Sequence, residues 1–543
     1  MKILRGTPAS PGLAIGSAHT IRPAPPVDII ARRTTDASEE TARLEQAIAQ
    51  AITRMETLQS AAQGATADIL AAQREMMDDP ELKQGAIDLI EEGFKAEAAI
   101  TRVATSYAEQ LASLPDEYLS ARAADVQEAS RRIVAELQGV TLTVQLDHTA
   151  ILVAQDLAPA ETVGLNPSLL QAIVTETGSA TGHLAIVAQG LGIPAVVGVT
   201  DALFQVTEGA TLIVDGDQGT VTIDPDQESR AKIEQRLMAS LQEKKDLEIY
   251  RDRPGTTADG VHIEVFANIG SLAEAQKAVE MGAEGVGLFR TEFLAAQGLP
   301  TEEAQYTIYK DVASALQRPL IIRTFDIGGD KPIPGLDIPP EANPFLGWRG
   351  IRLALDRPEE VFLPQIRAIL RAGATHDVRI ILPMIVAPDE VELARTLTEQ
   401  ALQELEKQGQ PARRVPIGIM VETPAAAVTL DQFRGLIDFA SIGTNDLVQY
   451  TYAVDRTNSH VRDRARPLGI ATLRLIAQIC RAGIPVAVCG KLAGDIEAIP
   501  LLVGLGVREL SVPPPRVPVV KRVLAEKTLG EMEKLAKQAI KEY

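Results

Sequence analysis

Apolar and polar positions change rhythm three times along this chain. From Ile15 to Ile21 a short apolar run reads as strand and turn, and it breaks at the Pro23–Pro26 cluster. From about Ala37 to Gly139 the chain is rich in Ala, Glu, Gln and Arg with helical spacing. The turn signals Asp79-Pro80 and Leu114-Pro115 interrupt it, which predicts a bundle of about four helices. From Ala150 to about Asp224 the pattern becomes short apolar strands: Ile151–Val153, Ala172–Val174 and Ala195–Val197, with a helical stretch between the last two. Asp215–Gly219 followed by Thr220–Ile223 reads as a hairpin. Residues 226–250 form a long polar helix with Ile233, Leu237 and Leu241 on one face, ended by Pro254-Gly255.

Beyond that point apolar strands alternate with helices. The strand candidates are Ile263–Ala267, Gly285–Leu288, Leu320–Arg323, Val378–Leu382, Pro416–Val421, Phe439–Ile442, Pro485–Val488 and Glu509–Val512. Strands and helices in that alternation, over that length, predict a (β/α)8 barrel of the TIM type. A chain of 543 residues is too long for one core. The expected fold is therefore α/β multidomain. Residues 1–22 and 145–225 form one α/β domain, and residues 23–144 a helical bundle inserted within it. Residues 226–255 form a linker helix and residues 256–543 the barrel.

Composition removes several classes of function. A formal charge of −20 argues against nucleic acid, and 3% aromatic residues against a base-stacking platform. The same charge permits a small basic protein as partner. No apolar run approaches the length of about 18 residues that spans a bilayer, and Met1–Gly16 carries no signal-type cleavage site. The two cysteines, Cys480 and Cys489, cannot build a disulfide framework, and the expected compartment is a reducing cytoplasm.

In a TIM-type barrel the chemistry gathers at the C-terminal ends of the strands. Arg290 follows strand two, and Arg323 ends strand three with Asp326 and Lys331 beyond it. Glu422 ends strand five, Asn445-Asp446 follow strand six with Arg456 soon after, and Cys489 ends strand seven. Glu422 and Asp446 suit a hard cation such as Mg2+, which keeps positions for water and substrate oxygens. Arg290, Arg323 and Arg456 suit a phosphate and a carboxylate gripped in bidentate fashion, and such a clamp stabilises a moving phosphoryl group. A lone cysteine among cations suits proton donation or nucleophilic attack. The bland reading, separate salt bridges on a barrel rim, fits any one arginine but not the whole set. A second site lies at Thr177–Ile186. There small residues lead into a helix whose first turn holds His183, so that a phosphoryl group on the ring would meet free backbone N–H groups. Thr181 is a candidate cap or phosphate ligand. His19, His148, His262, His376 and His460 have no such setting.

These segments resemble enzyme I of the phosphoenolpyruvate-dependent sugar phosphotransferase system over nearly the whole length. The resemblance is carried by Ala9-Ser10-Pro11-Gly12, by Tyr118-Leu119 and Arg122–Val126, and by the His183 segment. In the barrel it is carried by Gly282–Leu288 with Arg290–Leu294, by Asp326–Lys331, by Asn343–Arg349 and by Gly443–Leu447. It implies a phosphoenolpyruvate–protein phosphotransferase in which His183 is phosphorylated and passes the group to HPr, a small phosphocarrier protein, as the first step of sugar uptake. Arg290, Arg323, Asn445, Asp446 and Arg456 would bind phosphoenolpyruvate, with Lys331 and Arg349 nearby. Glu422 and Asp446 would hold Mg2+, and Cys489 would protonate the enolate carbon as pyruvate leaves. The resemblance further implies that the inserted bundle docks the carrier, that the barrel forms a homodimer, and that the His183 domain swivels between barrel and carrier about the linker helix. Independently, Asp68, Glu75 and Asp79 fall near one helical face with Asp78 beside them, opposite Ile69, Leu70, Met76 and Met77. That makes an acidic stripe able to receive a basic partner.

Two positions depart from the family pattern. Gly182 stands where the family has a serine before the histidine, which removes one hydroxyl contact. Lys491 stands where the family has Glu after Cys489-Gly490, and a nearby ammonium is expected to make Cys489 titrate lower than is usual in the family. The proline-rich end Val512–Arg516 has no explanation in the sequence. Two other functions remain open at this stage. A dikinase-like enzyme would need a nucleotide-binding domain, and no Gly-rich phosphate loop precedes His183. A non-catalytic binder would have no use for a proton donor such as Cys489.

Overall fold

The computed structural model describes every residue except 23–26, 34, 62–64, 114–116, 141, 143–145, 158–160, 162–165, 167, 180–182, 297, 330–332, 340, 459 and 542–543. At 61, 65–69, 72, 117–122, 124, 183, 186, 190, 240, 241 and 244 it describes the backbone alone. The chain divides into two compact units, Met1–Leu241 and Gln242–Tyr543.

The first unit is built on a mixed sheet. Its strands are β1 (Lys2–Arg5), β2 (Thr7–Ser10), β3 (Leu13–Ile21), β4 (Ala150–Ala154), β5 (Leu170–Thr175), β6 (Ala195–Val197), β7 (Thr211–Asp215) and β8 (Thr220–Ile223). Their order is β1-β8-β7-β3-β4-β5-β6-β2. The N-terminal strands thus complete the sheet of the later segment, and β7–β8 is the antiparallel hairpin read from the sequence. The central strands are buried on both faces. Ile151 and Val153 face one core with Val174 and Val214, while Leu152 faces another with Ile173, Leu184 and Val197. That two-sided burial is why these strands read as continuous apolar runs rather than alternating ones.

Among the described residues, five helices lie between β3 and β4, α1 (Ala37–Ala61), α2 (Ala65–Met77), α3 (Pro80–Glu91), α4 (Ala96–Ala112) and α5 (Glu117–Gln138), one more than about four. Apolar positions Leu44, Met55, Leu70, Ile90, Ile100 and Ile133 form their common core. The Asp79-Pro80 signal starts α3: Asp79 Oδ1 accepts from Glu81 N at 2.7 Å and Leu82 N at 3.3 Å, and Pro80 occupies the first helical position, where no N–H is needed. The Leu114-Pro115 signal lies outside the described residues. On α2, Leu70 and Met77 are buried, Met76 is half-buried and Glu75 is exposed, and Asp78 beyond its end is exposed, as the two-faced pattern predicts. The side chains of Asp68 and Ile69 lie outside the described residues. A long helix, Gln227–Arg251, carries the chain from the first unit into the second.

The second unit is a closed parallel barrel. Its strands are β9 (Glu264–Ile269), β10 (Val286–Phe289), β11 (Leu320–Arg323), β12 (Val378–Leu382), β13 (Ile417–Val421), β14 (Phe439–Ile442), β15 (Val486–Val488) and β16 (Glu509–Val512), each bonded to the next and β16 to β9. All eight expected strands are present. The first is displaced toward its C-terminal end, because Asn268 and Ile269 still pair with β10. Inside the barrel Leu288, Ile321, Ile381, Met420 and Cys489 form one apolar layer beneath the C-terminal rim.

Glu509 opens β16 at the opposite end, in register with Glu264. Its Oε1 is buried without a hydrogen-bond partner among the described residues. Burial and the neighbouring Glu264 push this carboxyl up to about 8. A carboxyl raised in the folded state binds its proton more tightly there than in the unfolded chain. Stability is therefore full at low pH and declines as pH rises from the usual carboxylate range toward 8. Glu509→Gln is expected to stabilise the barrel at pH 8 by roughly 1–3 kcal/mol and to change it little near pH 4. Urea unfolding followed by Trp348, the sole tryptophan and a barrel residue, measures this directly. Equal stability of the two proteins at pH 8 would rule out a charged, buried Glu509.

Candidate active site

The barrel register brings the strand-end polar residues to one rim. Glu422 follows β13, and its Oε1 accepts the amide of Met384 at 2.8 Å. Met384 holds that amide in place from a left-handed backbone, φ 58°, rare for a residue with a side chain. Gly443, after β14, leaves the space beside Glu422 open: a Cβ there would stand 2.8 Å from Glu422 Oε2. Asp446 sits in the first turn of the helix Thr444–Tyr452, where the helix end favours a carboxylate. Burial, then Asp446 and Asp326, push the Glu422 carboxyl up to about 8.

Three arginines stand against these acids. Arg349, fully buried, forms a two-pronged pair with Asp326 (Nε–Oδ1 2.9 Å, Nη2–Oδ2 3.0 Å), and its Nη1 lies 3.6 Å from Asp446 Oδ1. Arg323 pairs with Glu292 and lies 3.3 Å from Asp326 Oδ2. Arg456 donates to Asp446 Oδ2 at 2.9 Å. Arg290 is half-buried on the loop after β10, and among the described residues its guanidinium meets no carboxylate. Arg323 and Arg456 are each held by an acid, which fixes their direction before any anion arrives. Phe345 lies between two of these cations, 5.8 Å from the Arg349 guanidinium and 5.5 Å from that of Arg456.

Asn445 is exposed, and its Oδ1 accepts the amide of Lys491 at 3.1 Å, bracing the turn after Cys489. Cys489 points into the barrel, and its Sγ lies 3.7 Å from the carbonyl of Ile442. Burial pushes the thiol up to about 11. Lys491 is exposed and Cys489 is buried. Asn268, missed in the sequence, ties this corner together: its Nδ2 donates to the carbonyls of Cys489 and Ser511, both at 3.0 Å, and its Oδ1 accepts from Ser511 Oγ at 2.7 Å. A mid-strand Asn inside an apolar run was the available signal.

The acids suit a divalent cation. Asp446 Oδ1 is buried without a hydrogen-bond partner among the described residues, and Glu422 is a carboxyl that water no longer stabilises. Among the described residues no cluster of three or more His, Cys, Asp or Glu is set to enclose a metal. Two carboxylates leave coordination positions that water and substrate oxygens can fill, as a hard divalent cation requires. Lys331, with Thr181 and Gly182 in the first unit, lies outside the described residues. His183 opens the helix His183–Leu191 after β5, the first-turn position predicted for it. Thr177 Oγ1 donates to the carbonyl of Gln155 at 3.1 Å, and Gly178, at φ 105°, turns the chain toward that helix.

The rim gathers paired arginines and buried carboxylates, and the chain carries the domains of phosphoenolpyruvate-utilising enzymes. Family models for their PEP-binding domain (residues 244–529), N-terminal domain (5–122) and mobile domain (146–219) match the chain. It is 38% identical to the phosphoenolpyruvate-protein phosphotransferase of Staphylococcus carnosus, over 99% of this chain and 96% of that protein. It is 39% identical to that of Geobacillus stearothermophilus, over 94% and 90%, and 38% identical to that of Bacillus subtilis, over 94% and 92%. The chain belongs to the phosphoenolpyruvate-protein phosphotransferase family, and it is an enzyme of phosphoenolpyruvate-dependent phosphotransfer. Enzymes of this family need a divalent metal. Among the described residues no helix is long and apolar enough to cross a membrane.

Proposed function

We propose that the enzyme takes the phosphoryl group of phosphoenolpyruvate onto His183, releases pyruvate, and passes the group to a histidine of an HPr-type phosphocarrier. The observation that carries this reading is the convergence of Arg323, Arg349 and Arg456 on the buried acids Asp326, Glu422 and Asp446 at one barrel rim. Arg290, Arg323 and Arg456, with Asn445 and Asp446, grip the phosphate and carboxylate of the substrate. Glu422 and Asp446 hold Mg2+, which when bound neutralises charge on the phosphoryl oxygens. The preset ion pairs keep the arginines aimed, so little reorganisation remains at the moment of transfer. The P–O bond breaks as a nitrogen of the His183 ring bonds phosphorus, and the electron pair stays on the enolate. The Cys489 thiol then gives its proton to the enolate carbon, forming pyruvate, and regains one from water.

The wider reading places this chemistry in a cytoplasmic sugar-uptake pathway. The bundle α1–α5 docks the carrier, with exposed Glu75 and Asp78 facing a basic partner. The barrel dimerises, and the Gln227–Arg251 helix supports the swing of His183 between its two partners. Radiolabelled phosphoenolpyruvate with Mg2+ should label the wild-type chain and, on addition of a small phosphocarrier, chase onto it. Label that stays on the chain or appears only in an added nucleotide would overturn the carrier reading in favour of the dikinase one.

A further inference from the structure

Behind the rim, a chain of buried polar groups joins the two strand ends that bear Arg290 and Arg323. Gln365, in the first turn of the helix Leu363–Gly373, is 1% exposed. Its Oε1 accepts the amide of Phe325 at 2.9 Å, and because that amide can only donate, the orientation of the carboxamide is fixed. Its Nε2 donates to Thr291 Oγ1 at 3.1 Å and to the Tyr309 hydroxyl at 3.0 Å. Thr291 Oγ1 donates onward to the carbonyl of Arg323 at 2.8 Å, and the Tyr309 hydroxyl to Gln305 Oε1 at 3.1 Å. Thr291 and Tyr309 are fully buried.

We propose that Gln365 is a positioning residue for the substrate phosphate, setting the spacing between Arg290 and Arg323 through Thr291. The inference rests on the reading that these two arginines grip phosphoenolpyruvate. Thr291 lies between Arg290 and Glu292, the acid that aims Arg323, while Phe325 lies two residues beyond Arg323. One carboxamide therefore fixes the backbone on both sides of the anion grip. Burying an amide is unfavourable unless its hydrogen bonds are made. A leucine would fill the same volume without that penalty. What the carboxamide adds is direction: both donors and the acceptor are used, and two of the three bonds run to the loops that carry the arginines.

The test compares Gln365→Leu, Thr291→Val, Tyr309→Phe and Arg323→Ala, reading kcat and KM for phosphoenolpyruvate alongside unfolding followed by Trp348 fluorescence. Thr291→Val keeps the β-branched shape and carries the test if Gln365→Leu folds poorly. Both should lower kcat/KM by about 10–100-fold, chiefly through KM, because a loosened grip weakens ground state and transition state alike. Tyr309→Phe leaves the bonds from Gln365 to Phe325 and Thr291, so it should lower stability with KM within about twofold of wild type. Arg323→Ala should raise KM. If it does, while Gln365→Leu and Thr291→Val lose only stability with KM unchanged, the positioning role is overturned. If Arg323→Ala itself leaves KM unchanged, the substrate reading falls, and the role of Gln365 with it.

Discussion

Arg349→Met should cost the barrel about 3–5 kcal/mol and slow phosphorylation from phosphoenolpyruvate by about 10²–10³-fold. Arg349 has no solvent exposure and faces three acids in and around the site. It pairs with Asp326 by two hydrogen bonds, lies 3.6 Å from Asp446, and holds down the raised Glu422 carboxyl. Methionine fills most of the volume but leaves those carboxylates short of their deepest cation, and a buried charge that loses its partner is far costlier than the intact pair was beneficial. The double variant Arg349→Met, Asp326→Leu separates the two effects. It removes both charges, so stability should return in large part, while the rate should not, because Asp446 and Glu422 still lack that cation. Trp348 fluorescence reports the first quantity and single-turnover phosphorylation the second. An Arg349→Met protein as stable as wild type would contradict the picture of a site held together by this cation.

Cys489→Ala should split the reaction in two. Phosphoryl transfer onto His183 needs only the P–O bond to break, so a first turnover should persist. Pyruvate formation needs a proton on carbon, and its rate should fall by about 10²–10⁴-fold. Exchange of the pyruvate methyl protons with solvent deuterium isolates that step. Its pH dependence follows from burial, which pushes the thiol up to about 11. Below that value the thiol keeps its proton, and as pH rises through it the donor is lost. The step should therefore show no fall from thiol ionisation between pH 7 and 9. A fall near pH 8 that disappears in Cys489→Ala would show a thiol far more acidic than its surroundings allow.

The barrel was legible because its strands are buried on both faces and so appear as short unbroken apolar runs, several of them ended or followed by a charged or reactive residue. Arg323, Glu422 and Cys489 stood out for that reason. What the pattern could not show is pairing. That Glu292 holds Arg323, or that Gln365 reaches Thr291, depends on contacts between residues 31 and 74 positions apart in sequence. The amide of Met384 escaped notice because its role rests on a backbone angle rather than a side chain. The insertion was legible as helical from composition, but its helix count was not, since the breaks carry weaker signals than Asp79-Pro80.

The central claim is that His183 is the phosphoryl acceptor fed by the barrel. Intact mass after incubation with phosphoenolpyruvate and Mg2+ tests it most directly, on the wild type and on His183→Ala. A single acid-labile phosphate on the wild type, absent from the variant, is the predicted result. A wild type that gains no phosphate, or a variant that gains the same one, would contradict it.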